Sequence, residues 1–382
     1  MSDAAQTGHR EVFLFSYLWD ILDEGAERFA RRLVDDLGVT GVALAMAYHD
    51  GRFLLPHHSR HRLYYLEPHV TYFRSDPSLY ADTPLKPTVW SELGSGADDG
   101  FARTKGALDQ AGLELLGWTV YCYNQRLATA HPEYAVENAW GVRYLFDLCP
   151  AHEAVRAYAR ALTEDVCRTA GARSLWLESL HYHDFDYTGG VGIVKVTADL
   201  DDFQRLLVSL CFCSACMEVA AAAGVDGERV RRGVQVAVDH SMRQPAAMGT
   251  PMGDQVQGVA ELAAYVQARD RQVQQLNQEV VAIAGRHGTR CFPNVTAMME
   301  PDLPSVEAIR RESARLTAAS PHLKPATVLR PGSAGGLTPA YWAEVTRRYV
   351  EADVPVIFIY NYGLMEMPIL DAMGAVLAEG KP

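Results

Sequence analysis

The sequence predicts an α/β protein built as a (β/α)8 TIM-like barrel, irregular in places, with a helical insertion after strand four. Three observations lead there. Short apolar runs alternate with stretches of helical periodicity, the signature of parallel βαβ units. Seven such runs are clear, close to the eight that close a barrel. No glycine-rich first turn of the dinucleotide-binding kind is present, which counts against the alternative, a doubly wound open sheet.

The elements follow in order. Glu11 to Trp19 is a near-continuous apolar run and reads as a buried strand. Asp23 to Leu37 carries Phe29, Leu33, Val34 and Leu37 at helical spacing and stops at Gly38. Gly41 to Tyr48 is the second strand, and Leu113 to Tyr123 is the third, after a helix over Gly100 to Gln110. A helix over Glu153 to Thr169 feeds the fourth strand, Ser174 to Leu180. Asp201 to Ala223, Gly227 to Met242 and Gln255 to Ala284 read as helices. Thr289 to Thr296, Ala326 to Arg330 and Val354 to Tyr360 are the later strands, and Pro368 to Ala378 the last helix. An eighth strand falls at Met298 to Asp302 or Gly192 to Val196. The chain is expected to form one barrel domain over 1–382, with 197–288 as a helical extension carrying a cysteine cluster.

Composition narrows the function. With 48% hydrophobic residues the chain has enough apolar surface for a large core, which excludes a disordered or fibrous protein. A formal charge of −12 repels phosphate backbones, so no nucleic-acid partner is expected. No apolar window of about 18 residues is present, so no transmembrane helix and no membrane partner are expected. The polar start, Met1 to Arg10, gives no signal-peptide pattern. Seven cysteines, three of them bunched, suit metal binding or free thiols in a reducing cytoplasm better than a disulfide framework.

Barrel active sites lie at the C-terminal ends of the strands, so residues just past each apolar run are the candidates. Glu178, inside Leu175-Trp176-Leu177-Glu178, is the foremost: a lone carboxylate in an apolar strand must be paired or face the barrel mouth. Glu300 and Glu137 are further catalytic candidates. Glu67, His181, His183, Asp184, Trp140, Arg330 and Asn361 are candidates for substrate binding. His181 and His183 share a face if extended, where they could bind a metal or contact sugar hydroxyls. His57-His58-Ser-Arg-His61 reads as part of a mobile lid. Arg330-Pro331-Gly332 begins a glycine-rich turn without the Lys-Ser/Thr ending of a P-loop. Ser179 lacks a surrounding G-x-S-x-G, so a serine-hydrolase elbow is not expected.

The sharpest motif is Cys211-Phe-Cys213-Ser-Ala-Cys216. Three soft ligands in six residues, with Cys149 or Cys167 as a fourth, suit a closed four-thiolate zinc site of structural type. The alternative is a helix with several small buried cysteines.

Cys149-Pro150-Ala151-His152, the strand ending in Glu178, and the C-x-C-x-x-C follow one another between Asp147 and Met217. This order resembles glycoside hydrolase barrels related to the zinc-bearing β-galactosidases and their uncharacterised glycosidase-like cousins. The resemblance implies structural zinc on Cys149, Cys211, Cys213 and Cys216, and a homo-oligomer as a partner arrangement. It implies a carbohydrate or glycoside as substrate, cleaved by carboxylate acid/base chemistry. In the β-galactosidases strand four ends in Asn-Glu; here it reads Leu177-Glu178-Ser179-Leu180. Two alternatives stay open. One is a metal-dependent hydrolase, lyase or isomerase using the strand-four histidines. The other is a carbohydrate-binding barrel without catalysis.

Overall fold

The computed structural model describes residues 10–187, 195–196, 200–243, 259–293, 303–320, 324–331 and 338–379. Its main strands are β1 (Glu11–Ser16), β2 (Gly41–Tyr48), β3 (Glu114–Val120), β4 (Ser174–Glu178), β5 (Arg290–Pro293), β6 (Ala326–Leu329) and β7 (Val356–Ile359). They pair in parallel in the order β5-β4-β3-β2-β1-β7-β6. The two ends of that row, β5 and β6, are neighbours in sequence, as the rim of a nearly closed barrel requires. The position Met298 to Asp302 falls in this gap but lies outside the described residues. So does most of Gly192 to Val196.

Side chains inside the ring show how far the sheet curls. Phe15 of β1 packs edge-on against Trp176 of β4 at 5.2 Å, and Trp176 against Phe358 of β7 at 4.9 Å. Phe13 of β1 approaches Phe292 of β5 at 6.0 Å. These strands are not neighbours in the sheet, so the contacts run across the lumen. Aromatic pairs of this kind contribute about 0.5–1.5 kcal/mol each beyond their buried area. The fold is therefore an α/β, (β/α)8-like barrel with a packed interior rather than a pore.

Helices cover the outside. Gly117 of β3 has to be small there: a Cβ would lie 2.6 Å from Val166 on the helix Glu153–Arg168. The segment after β4 builds a second, smaller core. Helices Asp202–Ser209, Ser214–Ala222 and Gly227–Arg243 bury Phe203, Leu207, Val230, Val234 and Val238 around Phe212 and Tyr265. The helix Leu262–Arg286 joins the two cores. Leu262 and Tyr265 belong to the small one, while Leu276, Val280 and Ala284 pack on the barrel.

Three local readings change. The first strand ends at Ser16, and a helix begins at Leu18, so Trp19 and Asp20 are helical. Gly25, with φ of 94°, separates that helix (Leu18–Glu24) from Ala26–Asp35, where periodicity alone read one continuous helix. The stretch Asp201 to Ala223 breaks between Ser209 and Ser214, so Cys211 and Cys213 sit in a turn and not inside a helix.

Candidate active site

Strand alternation explains the position of Glu178. Trp176 faces the lumen, so Glu178, two residues on, faces the same way at the C-terminal mouth. The carboxylate is half-buried, and Trp118 Nε1 of β3 donates to its Oε2 at 2.5 Å. Burial pushes the Glu178 pKa up; the Trp118 N–H, Arg330 and His183 pull less strongly the other way.

An aromatic cup surrounds it. Trp118 meets Tyr48 at 4.5 Å, Tyr17 at 5.4 Å and Tyr360 at 5.8 Å. The Arg330 guanidinium lies 5.0 Å over the Tyr360 ring. On the other flank Tyr187 packs on His183 at 4.6 Å and on Tyr123 at 4.9 Å. His49 and His69 approach Tyr123, and burial lowers their pKa values to about 4 and about 3. Both are neutral rings at neutral pH, able to hydrogen-bond but not to carry charge.

A chain of three buried polar groups starts at Ser179, the residue after Glu178. His183 Nδ1 lies 2.7 Å from Asp147 Oδ1, and His183 Nε2 lies 3.0 Å from Ser179 Oγ. Asp147 also accepts the His183 backbone N–H at 3.0 Å. A carboxylate only accepts, so Nδ1 carries the proton and Nε2 accepts from the Ser179 hydroxyl. Ser179 has φ of 62° where β4 ends, a conformation an ordinary residue adopts only when its surroundings hold it. With both ring nitrogens engaged, His183 has no lone pair for a catalytic metal. Among the described residues, neither strand-four histidine belongs to a group of three converging donors.

The sequence candidates separate into groups. Glu178, His183 and Arg330 meet at the mouth, with the His181 ring 4.5 Å from His183. Asn361 follows Tyr360; its Oδ1 accepts from Gly363 N–H, and its Nδ2 is buried without a partner among the described residues. Asp184 is exposed, in the turn before Tyr187. Glu137 lies with the cysteine cluster instead, where it pairs with Arg143 at 3.2 Å and its carbonyl accepts from Phe212. Trp140 is exposed beside the small core. Glu67 accepts from Ser91 N–H at 2.9 Å and pairs with Arg126. Glu300 and 332–337 of the glycine-rich turn lie outside the described residues. Sequence reading missed Trp118, Tyr17, Tyr48 and Asp147, and weighed Ser179 only as a nucleophile. Trp118 alone left a signal, an indole N–H in an apolar strand that needed an acceptor.

Cys149, Cys211, Cys213 and Cys216 converge, all buried. Cys149 Sγ lies 3.5 Å from Cys213 and Cys216 and 3.8 Å from Cys211. A tetrahedral zinc with Zn–S bonds of about 2.3 Å needs sulfurs roughly 3.8 Å apart, so the donor set fits that ion. Cys167, the other sequence candidate, is not in the cluster. Hydrogen bonding with Cys149 holds the Cys213 thiol down at about 6, while burial pushes Cys149 well up. The Tyr182 hydroxyl lies 3.3 Å from Cys216 Sγ, and buried Arg269 stacks 3.9 Å over the Tyr182 ring. A buried cation beside four thiols offsets the negative charge they carry when metal-bound.

Comparison with solved structures places this architecture. The α-L-fucosidase isoenzyme 2 from Paenibacillus thiaminolyticus matches over 98% of this chain and 49% of its own, at 13% identity and a TM-score of 0.53. The β-galactosidase from the psychrophilic Marinomonas ef1 matches over 97% and 59%, at 12% identity and 0.54. The catalytic domain of β-amylase from Paenibacillus polymyxa matches over 97% and 99%, at 8% identity and 0.51. The fold is the (β/α)8 barrel that these three enzymes also have. The chain spans about half the length of the fucosidase and about three fifths of the galactosidase. No family model and no curated relative matches the sequence.

Proposed function

We propose that this protein is a glycosidase-like hydrolase that takes a carbohydrate or glycoside at the C-terminal face of the barrel. One observation carries the reading: Glu178 is a half-buried carboxyl, raised in pKa, at the open end of β4 and walled by Trp118, Tyr360 and Tyr187. A carboxyl whose pKa burial has raised keeps its proton to higher pH than a free one and can give it to a leaving glycosidic oxygen. Aromatic faces beside it suit the CH faces of a sugar ring. Arg330 and His181 are assigned to substrate hydroxyls or charge, and the Asp147–His183–Ser179 chain to fixing the backbone that carries Glu178. Glycoside cleavage needs a second carboxyl; Glu300, a few residues past β5, is our assignment. Glu137 is set aside because its carboxylate serves Arg143.

The four cysteines are assigned to a structural zinc, since an all-thiolate site leaves no position open for substrate. Buried free thiols and a zinc of this kind fit a reducing compartment, and we assign the cytoplasm on that ground.

The test is turnover of a panel of aryl glycosides by the full chain, with Glu178→Gln and Glu300→Gln beside it. Hydrolysis lost in Glu178→Gln with unchanged circular dichroism supports the reading. Equal rates in wild type and Glu178→Gln overturn it. Sugar binding without turnover on every substrate would favour a non-catalytic barrel.

A second reading rests on the Ser179–His183–Asp147 chain, which has the hydrogen-bond order of an acyl-transfer triad. In that case an aryl ester would be cleaved by Glu178→Gln but not by Ser179→Ala. Ser179 and His183 are each only 3% exposed, which favours the positioning role.

A further inference from the structure

The loop after β2 holds a second group of metal-type donors, far in sequence from the cysteines. His58 and His61 come from this loop, and Asp23 from the helix Leu18–Glu24 that follows β1. The Asp23 carboxylate and the two imidazoles each offer a donor atom within 4.8 Å of the others. The lid expected from sequence is not loose here: the His58 side chain is only 2% exposed, and His57 Nε2 lies 2.8 Å from the Tyr362 carbonyl.

His58 is held from one side. Its Nε2 lies 2.8 Å from Asp20 Oδ1, and Asp20, fully buried, accepts the Tyr17 N–H at 3.1 Å through its other oxygen. Asp20 accepts, so Nε2 carries the proton in a neutral ring and the Nδ1 lone pair points away. That Nδ1 lies 2.7 Å from Asp23 Oδ2, yet the alignment of a hydrogen bond is missing and the atom has no hydrogen-bond partner. His61 Nδ1 is likewise buried with no partner. Carboxylate to imidazole to open donor is the arrangement that orients a metal-ligating histidine.

We propose that Asp23, His58 and His61 form a binding site for a divalent transition-metal cation of the zinc or cobalt class. The donor set is two nitrogens and one oxygen, which suits such borderline ions and disfavours magnesium or calcium. The donor atoms lie within 4.8 Å of one another; a tetrahedral ion with bonds of about 2.0–2.2 Å needs them roughly 3.3–3.6 Å apart, so the His58 Nδ1–Asp23 Oδ2 pair, at 2.7 Å, would open slightly on binding. Arg60 is the competing cation, at 3.4 Å from the Asp23 carboxylate, but its side chain is largely exposed and can swing away. A cavity of about 230 Å3, lined by Asp23, His58, Glu24 and Ser59, adjoins the cluster. Three protein ligands beside a cavity leave a fourth position for water or a substrate oxygen, unlike the closed cysteine site.

The test is metal content of the purified full-length protein after equilibrium dialysis against micromolar cobalt(II). Wild type is expected to hold about one equivalent of divalent metal more than His61→Ala and than Asp23→Asn. The extra cobalt should show visible d–d absorption without sulfur charge-transfer bands, which separates it from the cysteines. Equal metal content in wild type and both variants overturns the proposal, whatever the cysteines bind. Should a variant lose its far-ultraviolet dichroism, the wild-type spectrum decides: nitrogen/oxygen-ligated cobalt supports the site, and thiolate cobalt alone overturns it.

Discussion

The barrel mouth and the cysteine cluster both bury ionisable groups, and they handle the cost differently. At the mouth the Glu178 carboxyl is left half-buried, with one indole N–H at hydrogen-bond distance and a guanidinium nearby. In the cluster four thiols are buried together, with Arg269 the buried cation beside them. A lone carboxyl can meet burial by keeping its proton, and that makes it useful as an acid. Four converging thiols cannot all be satisfied by one another, since each S–H is a weak donor and each sulfur a weak acceptor. The proposed zinc would engage all four at once. The degree of burial, more than the residue types, tells the chemical position from the structural one.

The sharpest way to break this contrast is to remove the thiolate charge. Cys213→Ser is expected to lose zinc and unfold the small core formed by helices 202–243, leaving the barrel strands folded. Structural zinc contributes on the order of 10 kcal/mol to small domains, more than a core of this size supplies alone. Metal analysis and far-ultraviolet dichroism on the full chain read the effect. A variant that keeps both its helicity and its stability would show that the cysteines merely pack.

Next in size is Glu178→Gln. Loss of a general acid costs about 10²–10⁴ in kcat. Stability should move the other way. Glu178 has a folded pKa above its unfolded value, so ionisation opposes folding. The penalty is absent below the unfolded pKa and grows as pH rises through the folded one. Glu178→Gln removes it, so thermal melting at neutral pH is expected to be unchanged or higher than wild type, and the gap should close in acid. A melting temperature well below wild type would make Glu178 a structural residue.

Asp147→Asn tests the chain that starts at Ser179. The amide can donate to His183 Nδ1, which favours the other tautomer and turns Nε2 toward Ser179 as a donor. The expected loss is about tenfold in kcat, ~1.4 kcal/mol, with KM little changed. A loss equal to that of Ser179→Ala would mean the two act as one unit.

Much of this was legible in the amino-acid order, for identifiable reasons. Alternating apolar runs and helices give the barrel because parallel strands are buried on both faces. Glu178 stood out because a charge inside Leu175-Trp176-Leu177 has few places to go. The cysteines stood out by spacing. What stayed hidden depends on residues far apart in sequence. Asp147 reaches His183, and Asp20 reaches His58, only because strand ends converge at one face of the barrel. Polar residues in the loop Gly51 to Pro87 look solvated in a linear reading. Nothing local says that His58 is drawn under the helix Leu18–Glu24. Glu137 was read as a mouth residue because it follows β3; the hairpin of Ala135–Glu137 with Arg143–Leu148 carries it to the cysteines instead.

The smallest expected effect is also the most specific. The Trp118 N–H stabilises the ionised form of Glu178, so Trp118→Phe should raise the Glu178 pKa further. A hydrogen bond to a charged group contributes ~1.5 kcal/mol, so its loss is large enough to read in a pH–rate profile. For an enzyme that uses protonated Glu178, activity falls as pH rises through that pKa. Trp118→Phe should therefore carry the alkaline limb of the pH–rate profile to higher pH, while the phenyl ring keeps the cup packed against Tyr17 and Tyr48. An acidic limb moving up in its place would mean that Glu178 works as the ionised base. The same two residues would then have exchanged the acid role for the nucleophile or base role, with the glycosidase assignment intact.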